Sequence, residues 1–287
     1  MKICVIVPVY NDWYRLQANL GYFREAVERG SVKAAIDVVF VDNGSDVLGN
    51  VGSDFGLEVC VSPGSYSARN FALRTRIDQY DYFAFTDADC LPEAAWLENA
   101  IDFLSENGSA LLAGGVQMVA RPGERSFVEA YDLLLGIPQE RYVKNGYAVT
   151  ANLFVRNDVF KVAGLFDDTR FSGGDAELCR RARAFGFELD YLADSCVRHP
   201  ARVLWSEIIN KVKRVTGGQT GNGTFSSRVK FLIFNLLPPG RAYIFIFGNR
   251  NNKTASDKAK AFVVVTLLWP LKSMYSLKYF FGGRRSR

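Results

Sequence analysis

Histidine is almost missing from this chain: His199 is the single one among 287 residues. Cysteine is scarce and unpatterned. Cys4, Cys60, Cys90, Cys179 and Cys196 are odd in number and show no C-x-x-C spacing. That argues against a disulfide framework and a zinc knuckle, and for a reducing compartment. Long apolar runs are also lacking. Ala261 to Leu271 is about half the ~20 residues a spanning helix needs, and Pro270, Lys272 and Lys278 are expected to interrupt its extension. The opening Met1 to Pro8 is too short for a signal-peptide apolar region followed by a cleavage site and reads as a first strand. No internal repeat or low-complexity segment occurs. Acid is the last shortage. From Arg198 to Arg287 the carboxylates are Glu207 and Asp257, against 17 Lys+Arg, a net charge of +15. From Met1 to Val197, 28 Asp+Glu outweigh 18 Lys+Arg, a net of −10. A basic appendage of this kind points to a polyanion, either nucleic acid or an anionic membrane.

What is present is an ordinary globular composition, 48% hydrophobic and 23% charged, in a chain long enough for one large or two modest domains. Lys2 to Val9 is a β-branched run of the kind buried on both faces in a central parallel strand. Trp13 to Arg29 carries helical spacing through Leu16, Leu20, Phe23 and Val27. Ile36 to Val41 and the short Leu57 to Val61 read as further strands, and Ser62-Pro63-Gly64-Ser65 turns into a helix holding Ala68, Arg69, Asn70 and Leu73. Tyr82 to Thr86 is a buried strand, with a helix expected from about Glu93 to Ser105. Alternation of strands and helices predicts right-handed crossovers and a mostly parallel sheet.

The Tyr82 strand runs into Asp87-Ala88-Asp89. In an open α/β sheet ligands gather at the carboxyl ends of the strands. Hard carboxylate oxygens there can hold Mg²⁺ or Mn²⁺ beside a substrate diphosphate; the plainer reading is a solvated pair capping the next helix.

Val5 to Asn11, Val41-Asp42-Asn43-Gly44-Ser45, Ser67-Ala68-Arg69-Asn70, Thr86-Asp87-Ala88-Asp89, Gly173-Gly174-Asp175-Ala176-Glu177-Leu178 and Val197-Arg198-His199 together resemble family 2 glycosyltransferases of the GT-A fold. The resemblance covers about the first 200 residues, in the family's order. It implies a GT-A domain over residues 1–201, a mixed α/β sandwich, followed by a basic helical extension over 202–287. It also implies transfer of a sugar from a nucleotide diphosphate donor to a hydroxyl, with inversion.

Each motif acquires a role from that resemblance. Pro8 and Tyr10 would line base and ribose, and Asp42 would accept from the base; an acceptor-only carboxylate suits the N3–H of uracil and hence a UDP-sugar. The plainer reading of Asp42 is a turn or cap residue. Arg69 would face phosphate or base oxygens, or else form a salt bridge. Asp87 belongs to the nucleotide site. Asp89 and His199 would share a Mn²⁺ or Mg²⁺ ion with diphosphate oxygens. Asp175 is the expected catalytic base. The family often has an acidic pair there, and Gly174 stands in this chain where the first acid would be. The stretch from Gln117 to Asn145 reads as a variable acceptor loop, before a strand over Thr150 to Arg156 and a short helix and turn over Val159 to Phe166.

Beyond His199, apolar stretches are edged with cations. Val203-Leu204-Trp205, Ile208-Ile209, Val212 and Val215 recur at helical spacing, with Lys211, Lys213 and Arg214 interleaved. Phe231 to Leu237 and Tyr243 to Phe247 flank Pro238-Pro239-Gly240, which forbids one continuous helix. Basic amphipathic segments lie in a membrane interface, so the expected partner is an anionic membrane rather than nucleic acid. The expected enzyme is cytoplasmic, held on the inner face, and acts on a glycan or lipid-linked acceptor. A nucleotidyltransferase of related fold and a degenerate GT-A scaffold remain the alternatives. The first lacks support because no basic Gly loop follows the first strand; Gly174 is what keeps the second open.

Overall fold

The structure, a computed structural model, describes residues 1–170, 172–248 and 254–283. In chain order its elements are β1 (Lys2–Val9), α1 (Trp13–Gly30), β2 (Ala35–Asp42), β3 (Gly56–Val59), α2 (Ser65–Arg76), β4 (Tyr82–Thr86), β5 (Leu91–Pro92), α3 (Trp96–Asn107), β6 (Leu111–Val119), α4 (Phe127–Leu135), α5 (Gln139–Lys144), β7 (Asn152–Arg156), α6 (Asn157–Ala163), α7 (Gly174–Ala184), β8 (Leu189–Pro200), α8 (Trp205–Gly221), α9 (Phe225–Leu236), α10 (Gly240–Gly248) and α11 (Ala255–Phe280). They form two compact units. One comprises Met1–Gln117, Pro138–Thr169 and Gly174–His199, and the other Met118–Ile137, Arg170–Gly173 and Pro200–Arg287.

The first unit is built on a sheet of order β3-β2-β1-β4-β7-β6-β8-β5. Strands β3, β2, β1 and β4 pair parallel with one another, and the central β1 and β4 have the buried apolar sequences that such strands require. Strand β7 then joins β4 antiparallel, β6 joins β7 antiparallel, and β5 joins β8 antiparallel. One core cluster includes Ile6, Val41, Phe83, Phe85, Leu153, Phe160 and Phe166, with Phe85 edge-on to both Phe160 and Phe166. Asn152 ties the antiparallel half together. Its amide donates to Gly115 O and Ser195 O, 2.8 Å each, and its oxygen accepts from Trp96 Nε1. A Cβ on Gly114 would meet Asn152 Nδ2 at 2.2 Å and Ser195 O at 2.3 Å, so this crossing requires glycine.

Several boundaries differ from the sequence reading. The helix expected from Glu93 begins at Trp96, because Leu91-Pro92 pairs instead with Arg198 and Val197 of β8. Strand β8 runs from Leu189 to Pro200 and carries His199 within it. The expected acceptor loop from Gln117 to Asn145 contains two helices, α4 and α5. The signal for α4 was local: Ser126 caps it by accepting from Glu129 N, and Val128, Tyr131 and Leu134 enter an apolar core. Pro270 does not interrupt α11, which runs through it for 26 residues. An internal proline costs roughly 3 kcal/mol. Burying Ala261, Val264, Val265, Leu268 and Tyr279 along one face outweighs that, at roughly 1.5–3 kcal/mol for each large apolar side chain.

The second unit has its own core, in which Val128, Tyr131 and Leu134 of α4 meet Ile208 and Val212 of α8 and the apolar face of α11. Wholly buried Asp132 accepts from Arg202 N and Nη1 at 3.0 Å and from Lys211 Nζ at 2.9 Å. Burial pushes its carboxyl up, but Lys211 and Arg202 outweigh burial and hold it below the ordinary value. Asp132→Ala would leave two cations without their counter-charge. The expected loss is about 3–5 kcal/mol in urea unfolding; a loss below about 1 kcal/mol would contradict this reading of the cluster.

Helices α9 and α10 break at Pro238-Pro239, as the sequence requires, and bend by 63°. Among the described residues no single helix is long and apolar enough to cross a membrane; the α9–α10 pair passes that test only jointly, by length and composition. In α9 the buried residue is Asn235, whereas Ile233 and Phe234 are half exposed; α10 buries Ile246 but leaves Ile244 75% exposed. Five of the C-terminal cations, Arg250, Lys253, Arg284, Arg285 and Arg287, lie outside the described residues.

Candidate active site

The parallel register brings the ends of β1 and β2 together, with Val9 opposite Asp42. The two following loops are stitched to each other. Asn11 N donates to Ser45 Oγ at 2.9 Å, and the Asn11 side chain exchanges bonds of 2.8 and 3.0 Å with Asp46. Asn11 adopts φ 51°, the left-handed region that Asn tolerates. Pro8 is half-buried and Tyr10 is exposed beside this turn.

Asp42 is buried and heavily used by the protein. Trp13 Nε1 donates to Oδ2 at 2.8 Å, while Gly44 N and Ser45 N donate to Oδ1 at 3.0 and 3.1 Å. Burial raises its carboxyl, and the bonds from Ser45, Trp13 and Gly44 more than offset that, holding it below the usual value. The turn-cap reading therefore describes Oδ1. One lone-pair direction on Oδ2 remains for a base N–H.

Asn43 shapes the approach to α2: it donates to Cys60 O and Ser62 O and accepts from Gly64 N at 2.7 Å. Gly64, at φ 115°, makes the turn that lets α2 start at Ser65. Arg69 is buried on that helix, with Nη2 2.7 Å from Asp87 Oδ1. The salt-bridge reading of Arg69 holds, and the bridge fixes Asp87. Arg69 Nε is a buried donor with no hydrogen-bond partner among the described residues, an orphan that a phosphate oxygen would satisfy.

Beyond Asp87 the chain turns, with Cys90 N donating to Asp87 O, and enters β5. The pairing of Leu91 with Arg198 and Pro92 with Val197 sets what lies opposite Asp89 and Cys90. One residue further along this antiparallel register comes His199. Its Nε2 stands 3.6 Å from Asp89 Oδ1. That is too long for a hydrogen bond and suits two ligands each about 2.1 Å from one cation. The donor atoms of Asp89, Cys90 and His199 all lie within 4.8 Å of one another, with His199 and Cys90 buried. These residues fit a small divalent ion. Burial, and secondarily Asp89 and Asp87, push the Cys90 thiol well above its ordinary value. Its soft sulfur is also a poor partner for a hard cation. Sequence reasoning did not single out Cys90; its place directly after Asp89 was the available signal.

Asp175 is the second residue of α7 and is buried. Oδ1 accepts from Tyr66 Oη at 3.1 Å and Ala176 N at 2.9 Å, and Oδ2 accepts from Thr150 N at 3.3 Å. A carboxylate offers about four lone-pair directions, so one on Oδ2 stays available to a substrate proton. Tyr66, Thr150 and Trp13 were not anticipated as site residues.

The family profile of Glycosyl transferase family 2 matches residues 4–161. The chain belongs to glycosyltransferase family 2. Glycosyltransferase AglE of Haloferax volcanii is 34% identical over 229 residues, 76% of this chain and 72% of that protein. The pre-mycofactocin glycosyltransferase of Mycobacterium tuberculosis is 27% identical over 213 residues, 70% of this chain but only 43% of that protein. Among solved structures, the mannosyltransferase PcManGT of Pyrobaculum calidifontis, in complex with GDP-Man and Mn²⁺, covers 97% of this chain and 84% of its own at 16% identity, with TM-score 0.54. TarS residues 1–349 of S. aureus, in complex with UDP-GlcNAc, covers 98% and 89% at 16% identity, with TM-score 0.50. This family 2 glycosyltransferase therefore has the mixed α/β GT-A fold, and transfers a sugar from a nucleotide sugar.

Proposed function

We propose that this family 2 glycosyltransferase transfers a sugar from a UDP-sugar to a hydroxyl of a glycan or lipid-linked acceptor, with inversion and with Mn²⁺ or Mg²⁺ bound. The observation that carries this reading is the antiparallel pairing of β5 with β8, which puts His199 beside Asp89. Asp42 serves the donor base through Oδ2, and Pro8 and Tyr10 border base and ribose. Arg69, steadied by Asp87, presents Nε to phosphate oxygen. A divalent ion held by Asp89 and His199 would offset charge on the departing diphosphate. Asp175 Oδ2 takes the acceptor proton as the acceptor oxygen bonds to the anomeric carbon; the bond from that carbon to the diphosphate breaks, and its electron pair leaves with the diphosphate. One displacement gives one inversion, so the product's anomeric configuration, read by proton coupling, should be opposite to the donor's. Retention would overturn the single-displacement scheme.

The catalytic part is assigned to residues 1–201 and membrane attachment to 202–287. The support for attachment is the set of exposed apolar side chains Phe234, Leu237, Ile244 and Phe247, which lie in the same segment as Arg228, Lys230 and Arg241. Each cation near an anionic leaflet adds about 1 kcal/mol, and the exposed apolar side chains supply the salt-resistant part. On this reading the enzyme works at the cytoplasmic face of a membrane. The full chain should sediment with liposomes rich in anionic lipid, less in high salt. A Phe234→Glu, Ile244→Glu double variant should lose most of that binding while unfolding at the same temperature. Failure of the full chain to bind such liposomes at low salt would refute the attachment.

A further inference from the structure

The absence of an acid at position 174 has a physical cause in the fold. A Cβ built on Gly174 would lie 2.8 Å from Cε2, 2.9 Å from Cδ2 and 3.0 Å from Cζ of Tyr66. Those contacts are with one face of a ring that cannot swing away freely. Tyr66 is 5% exposed and stacks on Phe166 at 5.6 Å with 20° between the planes. Phe166 is itself pinned: Asn70 Nδ2 donates to Phe166 O at 2.8 Å, and Phe166 N donates to Asn70 Oδ1 at 3.1 Å. Tyr66 and Asn70 sit one turn apart on α2. The helix thus fixes the ring directly and through Phe166, and the ring fills the volume that any side chain at 174 would need.

The same ring carries the hydroxyl that donates to Asp175 Oδ1. With Ala176 N it occupies Oδ1 fully, while Thr150 N takes half of Oδ2. The carboxylate is thereby held in one rotation, with its open direction on Oδ2. We infer that Tyr66 is a positioning residue for Asp175, and that Gly174 is the complementary gap which lets the phenol reach it. This rests on the reading of Asp175 as the base.

The test is a double-mutant cycle on the full-length enzyme with Mn²⁺. Turnover is read as nucleotide diphosphate release from the nucleotide sugar it uses best, with water as the acceptor. Tyr66→Phe keeps the ring and removes the hydroxyl; kcat should fall about 10–100-fold, the scale for misplacing a reacting group by about 1 Å, while the donor KM stays put. Gly174→Ala pushes the ring off and should lower kcat comparably. In the Tyr66→Phe background there is no hydroxyl left to displace, so adding Gly174→Ala should lower kcat little further. A purely steric role for the ring predicts the same loss in both backgrounds. Wild-type kcat in Tyr66→Phe, or multiplicative losses in the double variant, would overturn the inference. Should Gly174→Ala fail to fold, Tyr66→Phe alone decides. Asp175→Asn separates the two levels. If it keeps normal turnover, the base assignment fails and this inference with it. If it loses turnover while Tyr66→Phe does not, only the positioning role is wrong.

Discussion

Asp175→Asn lowers turnover by about 10²–10⁴-fold and leaves donor affinity unchanged, because the amide keeps the shape but cannot take the acceptor proton. The expectation is specific to this carboxylate. The next acid along α7, Glu177, is held by Arg181 Nε at 2.8 Å and Nη2 at 2.9 Å, so both its oxygens are engaged in a helix-surface ion pair. Asp175, by contrast, has Oδ1 taken by Tyr66 and Ala176 and Oδ2 by Thr150 alone, which leaves an open direction on Oδ2. Single-turnover measurement with saturating donor isolates the effect on the chemical step. Normal turnover in Asp175→Asn would move the base elsewhere, whatever became of the metal site.

Asp89→Ala and His199→Ala each cost more than about 100-fold in Mn²⁺-dependent nucleotide affinity. Loss of an outer partner of a metal ligand alone typically costs 10–100-fold, and on the proposed reading each variant removes one of two protein ligands. The two variants differ structurally. Asp89 is partly exposed, whereas His199 is buried on β8, so His199→Asn, which fills more of the site, accompanies His199→Ala and a melting curve accompanies both. Cys90→Ala serves as the contrast. Its soft sulfur suits a hard cation poorly and donates to Ala151 O at 3.9 Å, so its removal should spare nucleotide affinity. Equal UDP affinity with Mn²⁺ in wild type, Asp89→Ala and His199→Asn would sink the shared-ion account.

Much of the site was legible because its residues lie where strands end. Asp42 closes β2 and Asp87 follows β4, and apolar runs ending in acid mark such places without further help. Pairing between distant segments was not legible. Tyr66 and Asp175 are 109 residues apart, and nothing local to either announces the contact. Likewise the two-residue strand β5 is too short to show a period, yet its register is what sets His199 opposite the D-x-D turn. The helix expected from about Glu93 begins three residues later for the same reason: Leu91-Pro92 joins the sheet edge and Glu93 N donates to Cys196 O. Pro270, Lys272 and Lys278 do keep the apolar stretch short of a membrane span, but the helix itself runs on past Pro270 because a buried face continues on both sides of it. The Ser126…Glu129 cap of α4, however, was there to be read.

The most direct test of the central claim is release of nucleotide diphosphate from a panel of UDP- and GDP-sugars by the full chain, with Mn²⁺ and with chelator. Guanine also presents N–H donors to a carboxylate such as Asp42, so the panel must include both bases. The expected result is metal-dependent UDP release from at least one UDP-sugar, abolished by chelator and by Asp89→Ala, with little GDP from the GDP-sugars. Release of pyrophosphate, or no release of UDP from any donor in the presence of Mn²⁺ and acceptor-bearing membranes, would contradict it.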